Sequence, residues 1–423
     1  MIENQHNWAG NYTYSAARLH DPETVEQVQE VVIRSSKLRA LGTRHSFNGI
    51  ADSTEDLVSL AHLDRIVALD RARRMVTVEA GARYGQLGQY LHREGYALPN
   101  MASLPHISLA GACATATHGS GDGNGNLATA VAAIELVTAG GEVVVLSREQ
   151  HGEQFQGMVV GLGGLGVVTK LTLDIVPTFA MRQDVYENLP WTQLEDHFDD
   201  IVSSAYSVSL FTDWQNERIN QVWLKRRVTD DAAMALAPTF FEATLAPTDR
   251  HPIAAISAES CTAQMGIPGP CYERLPHFRM DFTPSSGEEL QTEYFVPRQD
   301  AVAALRAITR LREQLAPLLL ISEVRTIAAD TLWMSTCYRQ ACAAIHFTWK
   351  QDWPAVRELL PAIEEQLAPF NARPHWGKLF TISPTRLRSL YEKLPDFQQL
   401  LRSYDPQDKF RNAFLDTYIF GAD

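Results

Sequence analysis

Leu41-Gly42-Thr43-Arg44-His45-Ser46-Phe47-Asn48 places one histidine inside a short polar loop of small residues. Backbone donors and hydroxyls in such a loop suit a pyrophosphate. A neutral imidazole can also attack an electrophilic carbon and remain attached. As one of 13 histidines, His45 taken alone reads first as a surface residue. Downstream, Ser103 to Asn126 is a long run with few bulky side chains, including Ser108-Leu109-Ala110-Gly111-Ala112-Cys113-Ala114-Thr115-Ala116-Thr117-His118-Gly119-Ser120-Gly121. Backbone without bulk lets a large phosphate-bearing group lie against the main chain. The alternative is a tightly packed loop between core elements. Three further sites carry polar chemistry. Glu323 and Arg325 are two apart in an apolar strand-like run, as are His346 and Thr348, so each pair shares a face. Lys378 follows Gly377, where something can approach closely. An acid, two cations, a histidine and a hydroxyl among apolar neighbours form a pocket wall. An internal Glu323–Arg325 ion pair or a solvent face accounts for them equally well.

These residues need elements to hold them. Asp21-Pro22-Glu23-Thr24 before Val25, Val28, Val31 and Val32 predicts a capped amphipathic helix, leading into a strand over Leu38 to Leu41. A strand over Met75 to Ala80 precedes helical spacing at Tyr84, Leu87 and Leu91. Ala139-Gly140-Gly141-Glu142 joins two strands as a hairpin, and Gly166 to Val176 is another strand, closed by Pro177. Beyond it, strands are expected at Val208–Trp214, Val222–Arg227, Leu318–Ile327 and Ala343–Trp349. Helices are expected over Ala301–Leu315 and over Trp353–Leu367, the latter kinked at Pro361. The pattern is α+β: a first domain at 1–177, a second at 178–378 built on an antiparallel sheet covered by helices, and a segment at 379–423 that returns to the body.

At 423 residues the chain exceeds one ordinary core, and 45% apolar residues fill two. A net charge of −13 opposes nucleic-acid or anionic-membrane partners and fits a neutral or polyhydroxylated substrate better than a polyanion, though solubility alone also accounts for it. Five cysteines with neither CxxC nor zinc-like spacing point to a reduced intracellular setting and no metal. Met1 to Trp8 lacks the basic and apolar regions of a signal peptide. Residues 95–121 carry no Asp, Glu, Lys or Arg. Pro99, Asn100, Pro105, His106, His118 and many hydroxyls nevertheless exclude a membrane span. No GxGxxG occurs, so a nucleotide-binding βαβ unit of that type is not expected. The loop and the low-bulk run together suggest a flavin enzyme that carries its cofactor on a histidine.

The combined motifs are more specific than any one. Gly42 to Asn48, Leu98 to Ser108, Thr117-His118-Gly119-Ser120-Gly121, Tyr206 to Trp214, Glu323 to Thr326, His346 to Trp349 and Arg373-Pro374-His375-Trp376-Gly377-Lys378 closely resemble the alditol oxidases, including xylitol and sorbitol oxidases. These belong to the vanillyl-alcohol-oxidase flavoprotein superfamily. The resemblance covers nearly the whole chain. It implies an FAD-binding domain of two subdomains, capped by a substrate domain, with FAD covalently bound through His45. It implies FAD contacts from Leu41, Gly42, Thr43, Arg44, His45, Ser46, Ser103, Ser108, Gly111, Ala114, Thr115, Ala116, Thr117, His118, Val167 and Val168. Ser103, Glu323, Arg325, Thr348 and Lys378 would hold a polyol, with Lys378, Arg325 and His346 as catalytic groups. Small Ala102 beside Ser103 would leave room for dioxygen, or simply pack tightly. The implied reaction oxidises a terminal alcohol of an acyclic polyol such as xylitol or sorbitol to the aldose, with dioxygen reduced to hydrogen peroxide. The implied protein is a cytoplasmic monomer. The rival within the superfamily is an aldonolactone oxidase or dehydrogenase; the rival outside it is a non-catalytic flavin- or sugar-binding protein. One departure is Thr43-Arg44, where relatives often carry small residues before the histidine.

Overall fold

Three sheets, with a short two-stranded pairing beside them, organise the computed structural model, which describes residues 6–228, 236–282 and 288–421. Part of the N-terminal reading (1–5) and the last two residues of the C-terminal segment lie outside them. The chain is mixed helix and sheet, as expected. Thr24 caps the helix Val25–Arg34 by accepting from the Gln27 N–H. Its buried face, Val28, Val31 and Val32, packs with Leu38, Val58, Val137, Val167 and Phe410. That helix links Arg18–His20 to Leu38–Leu41, and both strands pair in parallel with Asp56–Ser59. The parallel pairing fixes the direction in which the chain leaves Leu41 and enters the His45 loop.

The second sheet is antiparallel, in the order Ile66–Asp70, Met75–Glu79, Val167–Asp174, Val131–Val137, Val143–Ser147. Strict alternation of buried and half-buried residues along Val167–Asp174 shows why it sits centrally, with one face on the core. The third sheet is large and antiparallel. Its middle runs Arg218–Arg227, Ser207–Thr212, Leu319–Ile327, Cys342–Lys350, Glu289–Pro297. The helices Trp191–Val202, Ala301–Thr309 and Trp353–Leu367 pack together beside it. One antiparallel sheet is drawn from residues 66–174 and the other from 180–374, and Gly121 reaches across, its N–H donating to Thr326 O at 2.8 Å.

One expected helix divides. Ala301–Leu315 forms Ala301–Thr309 and then Arg312–Leu315. The junction bonds Leu311 N to Ile308 O and Gln314 N to Leu311 O, three residues apart instead of four. This tightening turns both Leu311 and Leu315 into the core. Trp353–Leu367 runs through Pro361 unbroken, with the proline exposed. The final segment hydrogen-bonds to the first half: Lys409 Nζ donates to Val32 O (2.6 Å) and Ala139 O (2.9 Å), and Asn412 Nδ2 to the carbonyls of Gly49, Ile50 and Asp52.

Candidate active site

The His45 loop and the low-bulk run make one wall of a cavity of about 470 Å³. Gly42 and Gly111 both crowd Ser108: a Cβ on either would lie within 2.9 Å of its hydroxyl. A side chain at either position would force the Ser108 hydroxyl to move. Thr43 organises the loop. Its Oγ1 accepts from the Ser108 N–H at 3.3 Å and bonds His45 Nδ1 at 3.0 Å. Arg44 follows at φ +63°, in the left-handed region where a side chain is costly. The two Thr43 Oγ1 bonds, to Ser108 N–H and His45 Nδ1, brace the loop beside this strained residue. The His45 ring stacks on Trp8, centroids 5.2 Å apart. Burial, reinforced by nearby His106, pushes its pKa down to about 4. The imidazole is therefore neutral at pH 7 and keeps a lone pair for bond formation.

Strand register builds the opposite wall. Glu323, His346 and Glu293 are direct cross-strand partners on three adjacent strands, so their side chains form one row across the sheet. Arg325 lies one step along the face, opposite Ala344, whose small side chain leaves room for the guanidinium. Thr348 lies one step the other way. On its other side the strand carrying Glu293 pairs with Arg373–Pro374, and the chain continues along it: His375 N bonds Glu293 O and Leu379 N bonds Gln291 O, both at 3.0 Å. Lys378 thereby arrives beside Glu293.

The charges interlock. Lys378 Nζ lies 2.7 Å from Glu293 Oε2 and donates to His346 Nδ1 at 2.7 Å. That donation leaves His346 with its proton on Nε2, 3.1 Å from Thr348 Oγ1. Arg325 donates from Nη2 to Glu293 Oε1 at 3.0 Å and from Nη1 to Ser103 Oγ at 3.2 Å; its Nε lies 3.4 Å from Glu323. His118 Nε2 is 3.1 Å from Glu293 Oε1. For Glu293, burial favours the neutral acid, but Lys378 and then His118 overcome it and hold the carboxyl well below its usual range. Glu323 behaves alike: burial opposes ionisation, and Arg325 and His277 outweigh it. His346 is driven down to about 4, first by burial and then by Lys378, so it is neutral. Two carboxylates and two cations thus face the cavity among neutral imidazoles.

The walls are fastened to each other. Phe47 N–H donates to Gly377 O at 2.8 Å, and Asn48 Nδ2 donates to Trp376 O (2.9 Å) and Lys378 O (2.7 Å). The loop carrying His45 therefore fixes the backbone carrying Lys378.

Of the expected cofactor contacts, Leu41 to Ser46, Ser103, Ser108, Gly111, Ala114, Thr115, Thr117 and His118 line the cavity, as do all five expected polyol residues and His346. Ala116, Val167 and Val168 do not. Ala116 is fully buried at a turn with φ +54°. Val167 pairs with Val137 inside the small core, and Val168 packs against it. Sequence reasoning missed Glu293, His277, His375 and Lys225. The signal for Glu293 was present: Glu289, Gln291 and Glu293 alternate with Leu290, Thr292 and Tyr294, a period-two pattern with one polar face. Among the described residues, no His/Cys/Asp/Glu group could hold a metal and no helix is long and apolar enough to cross a membrane.

Residues 16–147 match the family model for an FAD binding domain, and residues 283–418 match that for D-arabinono-1,4-lactone oxidase. The chain is 47% identical to an alditol oxidase from a Streptomyces species, over 98% of this chain and 99% of that one. It is 28% identical to an L-gulono-1,4-lactone dehydrogenase of Mycobacterium tuberculosis, over 96% and 97%. The crystal structure of cholesterol oxidase from B. sterolicum shares the fold, with a TM-score of 0.77 at 16% identity, covering 98% of this chain and 96% of that one. Fold and domain match together define the class, an FAD-dependent oxidoreductase. The cavity accords with it: glycines pressed against Ser108 make a wall free of bulk, and the volume falls within the roughly 300–1,000 Å³ of small-molecule and cofactor sites. Within that class, the chain belongs to the alditol oxidase family.

Proposed function

We propose that this protein oxidises the terminal primary alcohol of acyclic polyols such as xylitol and sorbitol to the aldose, passing the electrons to dioxygen to give hydrogen peroxide. One observation carries the reading: Glu323, Arg325, Thr348, Lys378 and Ser103 converge on one cavity opposite the His45 loop. Donors and acceptors in that number match a chain of hydroxyls. A substrate lacking them leaves buried polar groups unpaired. Bound FAD supplies the acceptor for hydride and the route of electrons to dioxygen. The chain's own groups manage the proton and the charge. Lys378 and Arg325 favour the alkoxide that develops at the reacting carbon. Neutral His346 takes the hydroxyl proton at Nδ1 as the Lys378 N–H now bonded there turns to the developing alkoxide. Glu323 accepts from hydroxyls further along the substrate. Buried Ala102, lining the cavity beside Ser103, leaves space for dioxygen. Five free thiols, all buried, suit a reducing cytoplasm.

The test is spectroscopic. Anaerobic xylitol or sorbitol should bleach the flavin, and air should restore its colour while peroxide forms. The matched lactone-oxidase model keeps an aldonolactone as the second reading. If lactones bleach the flavin and polyols do not, that second reading is correct. A flavin inert to both would leave a binding protein.

The proposal includes covalent FAD on His45. A neutral, stacked imidazole at the end of the loop is poised for it. Acid precipitation of the wild type should leave the yellow colour in the pellet, whereas His45→Ala protein should release its flavin to the supernatant. Release from the wild type would overturn the attachment.

A further inference from the structure

Lys225 is buried on the strand Arg218–Arg227. Its ammonium donates to Leu275 O (2.6 Å), Pro276 O (2.9 Å) and His277 Nδ1 (2.9 Å), which uses all three of its protons. Because Nδ1 accepts, the His277 proton sits on Nε2, 2.8 Å from Glu323 Oε1. The order of donors is thereby fixed from Lys225 through His277 to Glu323. Glu323 Oε1 is the atom that takes this bond and faces Arg325 Nε, so Oε2 is the oxygen left to meet a ligand in the cavity. The same short segment reaches the second polyol-facing group: the N–H groups of His277 and Phe278 both donate to Ser103 O, at 3.0 and 3.2 Å.

We infer that Lys225 and His277 are positioning residues for substrate recognition: by orienting Glu323 and holding the backbone of Ser103, they set how strongly the site grips the hydroxyls distant from the reacting carbon. This rests on the polyol reading above. Burial of so many polar groups without water is costly unless each is paired, and this chain of donors pairs them in one direction only. Reversing or breaking it frees Glu323 to turn or to share its second oxygen with the protein. Hydroxyl recognition then weakens, while Lys378 and His346 keep their own partners.

The experiment compares His277→Leu, His277→Gln and Lys225→Met on xylitol and on 1,2-propanediol, which lacks the distant hydroxyls. A lost hydrogen bond to a charged group predicts a KM for xylitol higher by about 10- to 100-fold in His277→Leu, with a much smaller change in kcat. Lys225→Met should raise it by about tenfold. His277→Gln keeps an N–H for Glu323 and should recover most of the loss. On 1,2-propanediol the penalties should shrink towards none, which general damage to the fold would not produce. If His277→Leu does not fold, Lys225→Met decides alone. The inference is overturned by xylitol KM values within twofold of wild type, or by equal penalties on both substrates. A wild type inert to polyols would instead overturn the proposed function, and this inference with it.

Discussion

Lys378→Met protein should stay yellow and turn over xylitol about 10²- to 10³-fold more slowly, the cost of removing one group aimed at a developing negative charge. Methionine keeps the length of the side chain and removes only its cation, so the cavity wall survives. Glu293 retains Arg325 and His118 as partners. The fold therefore tolerates the change better than the chemistry does. The loss should appear mainly in kcat, because the alkoxide exists only as the hydride leaves, whereas Glu323, Arg325 and Ser103 still bind the ground state. His346 loses the donor that fixed its tautomer, so Lys378→Arg should recover only part of the rate, its broader guanidinium fitting poorly where one Nζ now meets both Glu293 Oε2 and His346 Nδ1. Stopped-flow reduction of the flavin under anaerobic conditions measures the step directly. Near-normal reduction by xylitol would remove Lys378 from the mechanism.

Both walls of the cavity were legible in the sequence for different reasons. The His45 loop and the Ser103 run stood out because bulk is absent there, a property local to the chain. Glu323, Arg325, His346 and Thr348 stood out because strands have period two, so polar residues two apart must share a face. Two things were not legible. One was which strands lie side by side: the Glu323, His346, Glu293 row exists only through pairing between segments far apart in sequence, and nothing local specifies that register. The other was the depth of burial. His277 and Lys225 look like ordinary surface residues until the sheet closes over them. Val167, which the resemblance places against the cofactor, has its side chain in the small core, and half-buried Val168 packs against that core.

Glu293 should prove the structural keystone of the site. Glu293→Leu removes the carboxylate shared by Lys378 and Arg325 and leaves both cations buried, which by analogy with other broken buried ion pairs costs roughly 3–5 kcal/mol. Glu293→Gln matches the shape but carries no charge, and its amide nitrogen must face a cation or His118. It should lose stability in the same direction, by less. The pH dependence gives a sharper signature. In the folded protein Glu293 titrates well below the unfolded value of about 4.3, since Lys378 and His118 outweigh burial. A depressed folded pKa means that its stabilisation is complete above the unfolded value and disappears as pH falls towards the folded one. Wild-type melting temperature should therefore fall steeply as pH drops below about 4.5. In Glu293→Gln the curve should start lower at neutral pH and fall less steeply, the remaining slope belonging to Glu323, which Arg325 and His277 hold low in the same way against burial, and to other depressed carboxylates such as Asp56 and Glu79. Scanning calorimetry of both proteins from pH 7 to pH 3.5 decides the matter. Parallel curves would mean that the carboxylate contributes no linked stability, and that Lys378 and Arg325 are held in the cavity by other means.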